Sequence, residues 1–133
     1  MSWIHSQPQT TTQMNLRIPS LSKNVVQLCK TLHCSWVGWV PVITQPHCRV
    51  WDCHNNSLYY TSWYGGMRVI GYYLLECVDS GRIVAILHSI VQKENQKMID
   101  ITPFDDNRTY NLFAVLKNQT PDYSRQEIWW PHK

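Results

Sequence analysis

Two runs near the middle of the chain, Arg68 to Val78 (RVIGYYLLECV) and Arg82 to Gln92 (RIVAILHSIVQ), are rich in β-branched and aromatic residues. Only Asp79-Ser80-Gly81 separates them, a link that turns a chain back on itself, so they predict a long antiparallel hairpin. A second tight connection, Glu94-Asn95-Gln96, leads into Lys97 to Thr102 (KMIDIT), a strand ended by Pro103, and Tyr110 to Leu116 predicts a fourth strand. Upstream, Val25, Leu28, Cys29 and Leu32 recur at helical spacing, giving a short amphipathic helix with Ser22 as its N-cap. Trp36 to Ile43 is apolar and β-branched, but Gly38 and Pro41 make it an irregular or edge strand. The segment after Asp52 reads as a second helix, N-capped by Asp52, starting near Cys53 and stopped by Gly65-Gly66. The tail from Pro121 onward is expected to be irregular.

At 133 residues there is room for one domain and one core, and 44% apolar content excludes wholesale disorder. The fold class that follows is α+β: a single domain over residues 20–133, with N-terminal helices packed on an antiparallel sheet of three to five strands. Residues 1–19, rich in Gln, Thr and Ser without periodicity, are expected to form a flexible N-terminal arm. A net charge of +3 with no two Lys or Arg residues adjacent gives no reason to expect nucleic acid as a partner. No apolar run is long enough to span a membrane, and the first residues lack the charged lead and apolar core of a secretion signal, so a cytoplasmic setting is expected. The three sequons at Asn55, Asn107 and Asn118 are then chance occurrences. Five cysteines, an odd number, read in a reducing compartment as free thiols, metal ligands or a nucleophile before disulfides.

Three side chains stand in an order that carries chemistry: Cys53 opening a helix, His88 in one strand, Asp100 in the next. A helix N-terminus offers unpaired amides and a positive dipole end, which lowers a thiol pKa and can hold a developing oxyanion. His88 and Asp100, on strands joined by a short turn, can be cross-strand neighbours, and a turn centred near residue 94 puts them almost in register. Taken singly, a strand histidine is more often structural than catalytic, and Asp-x-Thr-Pro is an ordinary turn.

The order resembles that of transglutaminase-like and papain-like cysteine enzymes. It is closest to an uncharacterised microbial and viral family with a Cys-His-x-Asn motif, a Gly-Gly, a Gly-aromatic strand ending in Glu, a His strand and Ile-Asp-Ile-Thr-Pro. Here those elements are Cys53 to Asn56, Gly65-Gly66, Gly71-Tyr72 to Glu76, His88-Ser89 and Ile99 to Pro103. Ser-Ile-Val after His88 departs from the aromatic that these enzymes favour there. The resemblance implies a transglutaminase-like or papain-like core and acyl-transfer chemistry on a protein or peptide-like acyl substrate, with no cofactor. It makes Cys53 the nucleophile, His88 the base and Asp100 the residue that orients the imidazole. Asn56 matches the family's Asn and is assigned to orienting the site or to oxyanion binding, with a structural bond to a loop carbonyl as the alternative, and Trp51 and Trp63 are assigned to the pocket wall. His54 is assigned to structure or the substrate rim, and Glu76 to a solvated charge.

Two other classes compete. Cys29-x4-Cys34 and Cys48-x4-Cys53, with His33, His47 and His54 alongside, make an alternative zinc set of Cys29, Cys34, Cys48 and Cys53. Against it, structural zinc motifs favour two-residue gaps, and Cys29 falls on the apolar face of a helix. In the other class, Trp36, Trp39, Trp51, Trp63, Trp129 and Trp130 line an aromatic groove of a protein-interaction module without catalysis.

Overall fold

In the computed structural model, which describes residues 15–131, the hairpin is the spine of the molecule. In chain order the elements are β1 (Leu16–Arg17), α1 (Lys23–Thr31), β2 (Cys34–Pro41), α2 (Cys53–Tyr64), β3 (Met67–Cys77), β4 (Ile83–Gln92), β5 (Met98–Ile99), β6 (Tyr110–Leu116) and β7 (Glu127–Trp130). The described residues thus form a single small α+β domain of two helices and a seven-stranded sheet, in which every strand pairing is antiparallel.

β3 and β4 pair without interruption from Met67↔Gln92 to Glu76↔Ile83. Side chains alternate along a strand, so each run supplies two faces. Ile83, Ala85 and Leu87 join Ile70, Tyr72 and Leu74 beneath Val25, Leu28 and Cys29 of α1. Val84, Ile86 and Ile90 join Val69, Tyr73 and Leu75 on the other face, with Val40 and Phe113. Both faces are covered, which is why β4 shows no polar alternation. α1 starts as its sequence predicts: the Val25 amide donates to Ser22 Oγ at 3.3 Å.

The sheet order is β2-β6-β3-β4-β5, with β1 beside β3 and β7 beside β4. β2 is an edge strand, as Gly38 and Pro41 suggested. Its end is tied to the chain after β5: the Asp100 amide donates to the Pro41 carbonyl (2.9 Å), and the Ile43 amide to the Asp100 carbonyl (2.8 Å). The sheet therefore curls until its two outer strands meet at Asp100. Along the outer edge of β4, residues 83–86 are covered by β7 and residues 91 and 92 by β5. Residues 88–90 form the gap between these two strands.

Four expectations are corrected. There are seven strands, not three to five. The arm does not extend to residue 19, because Leu16 and Arg17 pair with Cys77 and Glu76 and Arg17 Nε bonds Glu76 Oε1 at 2.8 Å; the rest of that expectation, on residues 1–14, lies outside the described residues. The tail is not wholly irregular: β7 forms because β4 offers an open edge to Glu127–Trp130. The strand expected over Lys97 to Thr102 stops after Ile99, where Asp100 leaves β4 for β2.

Candidate active site

α2 opens on Cys53, and its first intrahelical bond runs from the Asn56 amide to the Asp52 carbonyl at 2.8 Å. Asp52 occupies the N-cap position without a capping bond; its carboxylate accepts instead from Asn55 Nδ2 at 2.9 Å. At the other end Gly65, at φ 78°, takes the left-handed conformation that lets the chain leave the helix. The helix start sits against the gap in the β4 edge, where Cys53 meets His88 and His54 meets Ser89.

His88 shares strand parity with Ile86 and Ile90, so its ring lies on the second sheet face among Tyr73, Phe104 and Phe113, at centroid distances of 4.9, 5.7 and 6.3 Å. Its Nε2 is 2.7 Å from Asp100 Oδ2, with His88 3% and Asp100 0% exposed. That leaves Nδ1 to face the thiol. The register differs from the expected one: Val91 pairs with Ile99, so the turn centres on residue 95 and Asp100 reaches His88 diagonally. A shift of two residues preserves the face, and the pair survives it.

The carboxylate is held on every side. Asp100 Oδ2 also accepts from Asn111 Nδ2 (2.9 Å), and Oδ1 accepts from the Thr102 amide (3.2 Å). Asn111 Oδ1 in turn accepts from Arg108 Nη1 at 2.9 Å, and the guanidinium lies 4.1 Å over the Phe104 ring. Sequence reasoning missed Asn111 and Arg108. The available signal was the single polar residue inside the apolar strand YNLFAVL, a group that must be hydrogen-bonded once buried.

Burial pushes the Cys53 thiol up, but the charge of His88 and the approach of the His54 and His88 rings prevail and bring it down to about 6. Burial likewise opposes the charged form of His88, yet the Asp100 carboxylate and then Cys53 push its pKa up to about 10. Between those values the site holds a thiolate and an imidazolium.

The other assigned residues separate. Asn56 is buried, but its amide is fully engaged: Oδ1 accepts from the Arg49 amide (3.1 Å), and Nδ2 donates to the Arg49 carbonyl (2.8 Å) and Thr102 Oγ1 (3.1 Å). Both amide hydrogens are taken, so the oxyanion role assigned to Asn56 is withdrawn; it ties the loop before α2 to the chain after Asp100. Trp51 packs in the cluster that contains Tyr73 and Phe104, beside the His88 ring. Trp63 lies ten residues along α2 from Cys53, about 15 Å at 1.5 Å per residue, and is 69% exposed, so it is no wall of this pocket.

The alternative zinc set does not assemble. Cys29 and Cys34, both free thiols, pack together at the α1 core, Cys48 packs with Val91, Ile99 and Ile101, and Cys53 belongs to His88. Among the described residues no three His, Cys, Asp or Glu side chains converge on a metal position. No described helix is long and apolar enough to cross a membrane. Comparisons of the chain with protein-family models, curated proteins and solved structures gave no match.

Proposed function

We propose that the protein is a cysteine-dependent acyl-transfer enzyme acting on a protein or peptide-like acyl group, by hydrolysis, deamidation or transfer. The observation that carries this reading is the buried His88–Asp100 pair at 2.7 Å, with the helix-opening thiol against the other side of the imidazole. The Cys53 thiolate attacks the carbonyl carbon, forming a C–S bond as the carbonyl π pair moves to oxygen. Collapse expels the leaving group, which takes its proton from His88 Nδ1. Water or an amine, deprotonated by His88, then releases the acyl group and restores the thiol. Asp100 keeps the ring oriented and stabilises the imidazolium. No step requires a cofactor. Helix-borne Cys, strand His and following Asp support a transglutaminase-like or papain-like core, and five free cysteines suit a reducing, cytoplasmic setting.

p-Nitrophenyl acetate tests the reading. The expected result is a burst of nitrophenolate matched by one acetyl group on Cys53 in the intact mass, lost in Cys53→Ser and His88→Ala. Acetylation spread over the thiols without preference for Cys53 would overturn it.

One observation favours the interaction-module reading: a groove of about 560 Å³ between β2 and the β4–β5 turn is lined by Trp36, Trp39, Lys93 and Lys97. That reading takes precedence if Cys53 proves no more reactive than an ordinary thiol.

A further inference from the structure

Among the described residues three buried side-chain polar atoms have no hydrogen-bond partner, and two of them, His54 Nε2 and Ser57 Oγ, sit on α2 within one turn of Cys53. Positions 53, 54 and 57 are i, i+1 and i+4, so Ser57 lies beneath Cys53 and beside His54 on the buried side of the helix. A buried polar atom left unpaired is costly, and each such case in a folded protein calls for a reason. Here the reason is local. His54 is anchored at its other nitrogen, where Nδ1 contacts Ser89 Oγ, and its ring packs edge-on against Tyr123 at 5.3 Å. With the Ser89 hydroxyl as the donor to Nδ1, the ring proton sits on Nε2. The result is an anchored N–H donor that no oxygen or nitrogen of the described residues receives and that lies against the Cys53 sulfur.

We propose that His54 is a second catalytic imidazole, whose Nε2–H donates to the oxyanion formed when Cys53 attacks a carbonyl, with Ser89 as the residue that positions it. The inference rests on the acyl-transfer reading above. It assigns the side-chain oxyanion donor that Asn56 cannot be, and it divides the chemistry between the two imidazoles, since His88 moves the proton while His54 holds the negative oxygen. The donor adds to the backbone amides of the first turn of α2, which have no partner within the helix.

Two reactions of the full chain test it: acetylation of Cys53 by p-nitrophenyl acetate, which passes through an oxyanion, and alkylation by iodoacetamide, which does not. His54→Ala should slow acetylation about a hundredfold, the loss typical of one oxyanion donor. The limiting alkylation rate at high pH, where the thiolate is fully formed, should be unchanged. His54→Gln, which keeps an N–H donor, should recover part of the acetylation rate, and Ser89→Ala should fall between wild type and His54→Ala. Wild-type acetylation in His54→Ala, or an equal fall in both reactions, overturns the role of His54. A wild-type protein that alkylates rapidly at acidic pH yet never acetylates overturns the acyl-transfer reading, and this inference with it.

Discussion

Gly71 stands directly opposite His88 in the β3–β4 ladder and at the same time faces Val115 of β6. A Cβ at this position would run into the Ala114 carbonyl and come within 2.8 Å of the Phe113 ring, one of the three rings around the imidazole. The glycine is thus what lets β6 approach β3 closely enough to wall in His88. Gly71→Ala should destabilise the fold by about 3 kcal/mol, the upper end of overpacking costs, measured by urea denaturation. A loss below about 0.5 kcal/mol, ordinary for a surface change, would show that β6 can yield.

The reactivity of Cys53 should follow the pair rather than a free thiol. Iodoacetamide labelling, mapped by peptide, should rise with a midpoint near pH 6, well below the value of about 8.5 for an unperturbed cysteine. Cys34 and Cys48, both pushed up with burial contributing, should lag. His88→Ala should move the Cys53 midpoint upward by more than one pH unit. An unmoved midpoint would mean that His54 and the helix end, and not His88, act on the thiol.

Stability and pH are linked through the same two groups with opposite signs. Cys53, lowered from 9.0 to about 6, contributes stability that is present above pH 9 and lost as pH falls through 6. His88, raised from 6.5 to about 10, contributes stability that is present below pH 6.5 and lost as pH rises through 10. Between pH 6.5 and 9 the two cancel, because folding only moves one proton from sulfur to nitrogen. Cys53→Ala leaves the His88 linkage alone. Its stability relative to wild type should therefore fall as pH rises from 6.5, with a limiting slope of about 1.4 kcal/mol per unit, up to the lower pKa that Asp100 without Cys53 sustains on His88. Parallel curves for the two proteins would refute the pair.

Asn56 should matter to the fold and not to the thiol. Asn56→Ala strands the Arg49 amide and carbonyl and the Thr102 hydroxyl, and should cost about 2 kcal/mol, within the range for unsatisfied buried groups. The limiting alkylation rate of Cys53 should stay at the wild-type value. A large fall in that rate without loss of stability would return Asn56 to the reacting centre.

The parts of the site that could be read in advance are those that depend on near neighbours. Cys53 opens α2 because a polar first turn follows a break at Pro46 and the Gly65-Gly66 pair closes the helix. His88 and Asp100 come together because the turn between them is short and the register places Val91 opposite Ile99, next to Asp100. The register itself was not readable. Gln96 adopts a left-handed φ of 72°, and the Lys93 amide bonds the Lys97 carbonyl at 2.8 Å, which moves the turn centre to residue 95. β1 and β7 escaped notice because two- and four-residue strands have too little pattern of their own; they form on edges that β3 and β4 supply.

By itself, then, the sequence determined the two helices, the β3–β4 hairpin and the short connection that brings Asp100 back towards His88, since each arises from local spacing, capping and turn chemistry. The tertiary structure decided the rest. It closed Asp100 onto both His88 and Asn111, turned the Asn56 amide to Arg49 and Thr102, left Trp63 in solvent, and brought His54 against Ser89 with its second nitrogen unpaired. The physical reason is range: those outcomes depend on which sheet edges meet and in what register. That is set by burying whole faces at once rather than by any residue's neighbours in the chain.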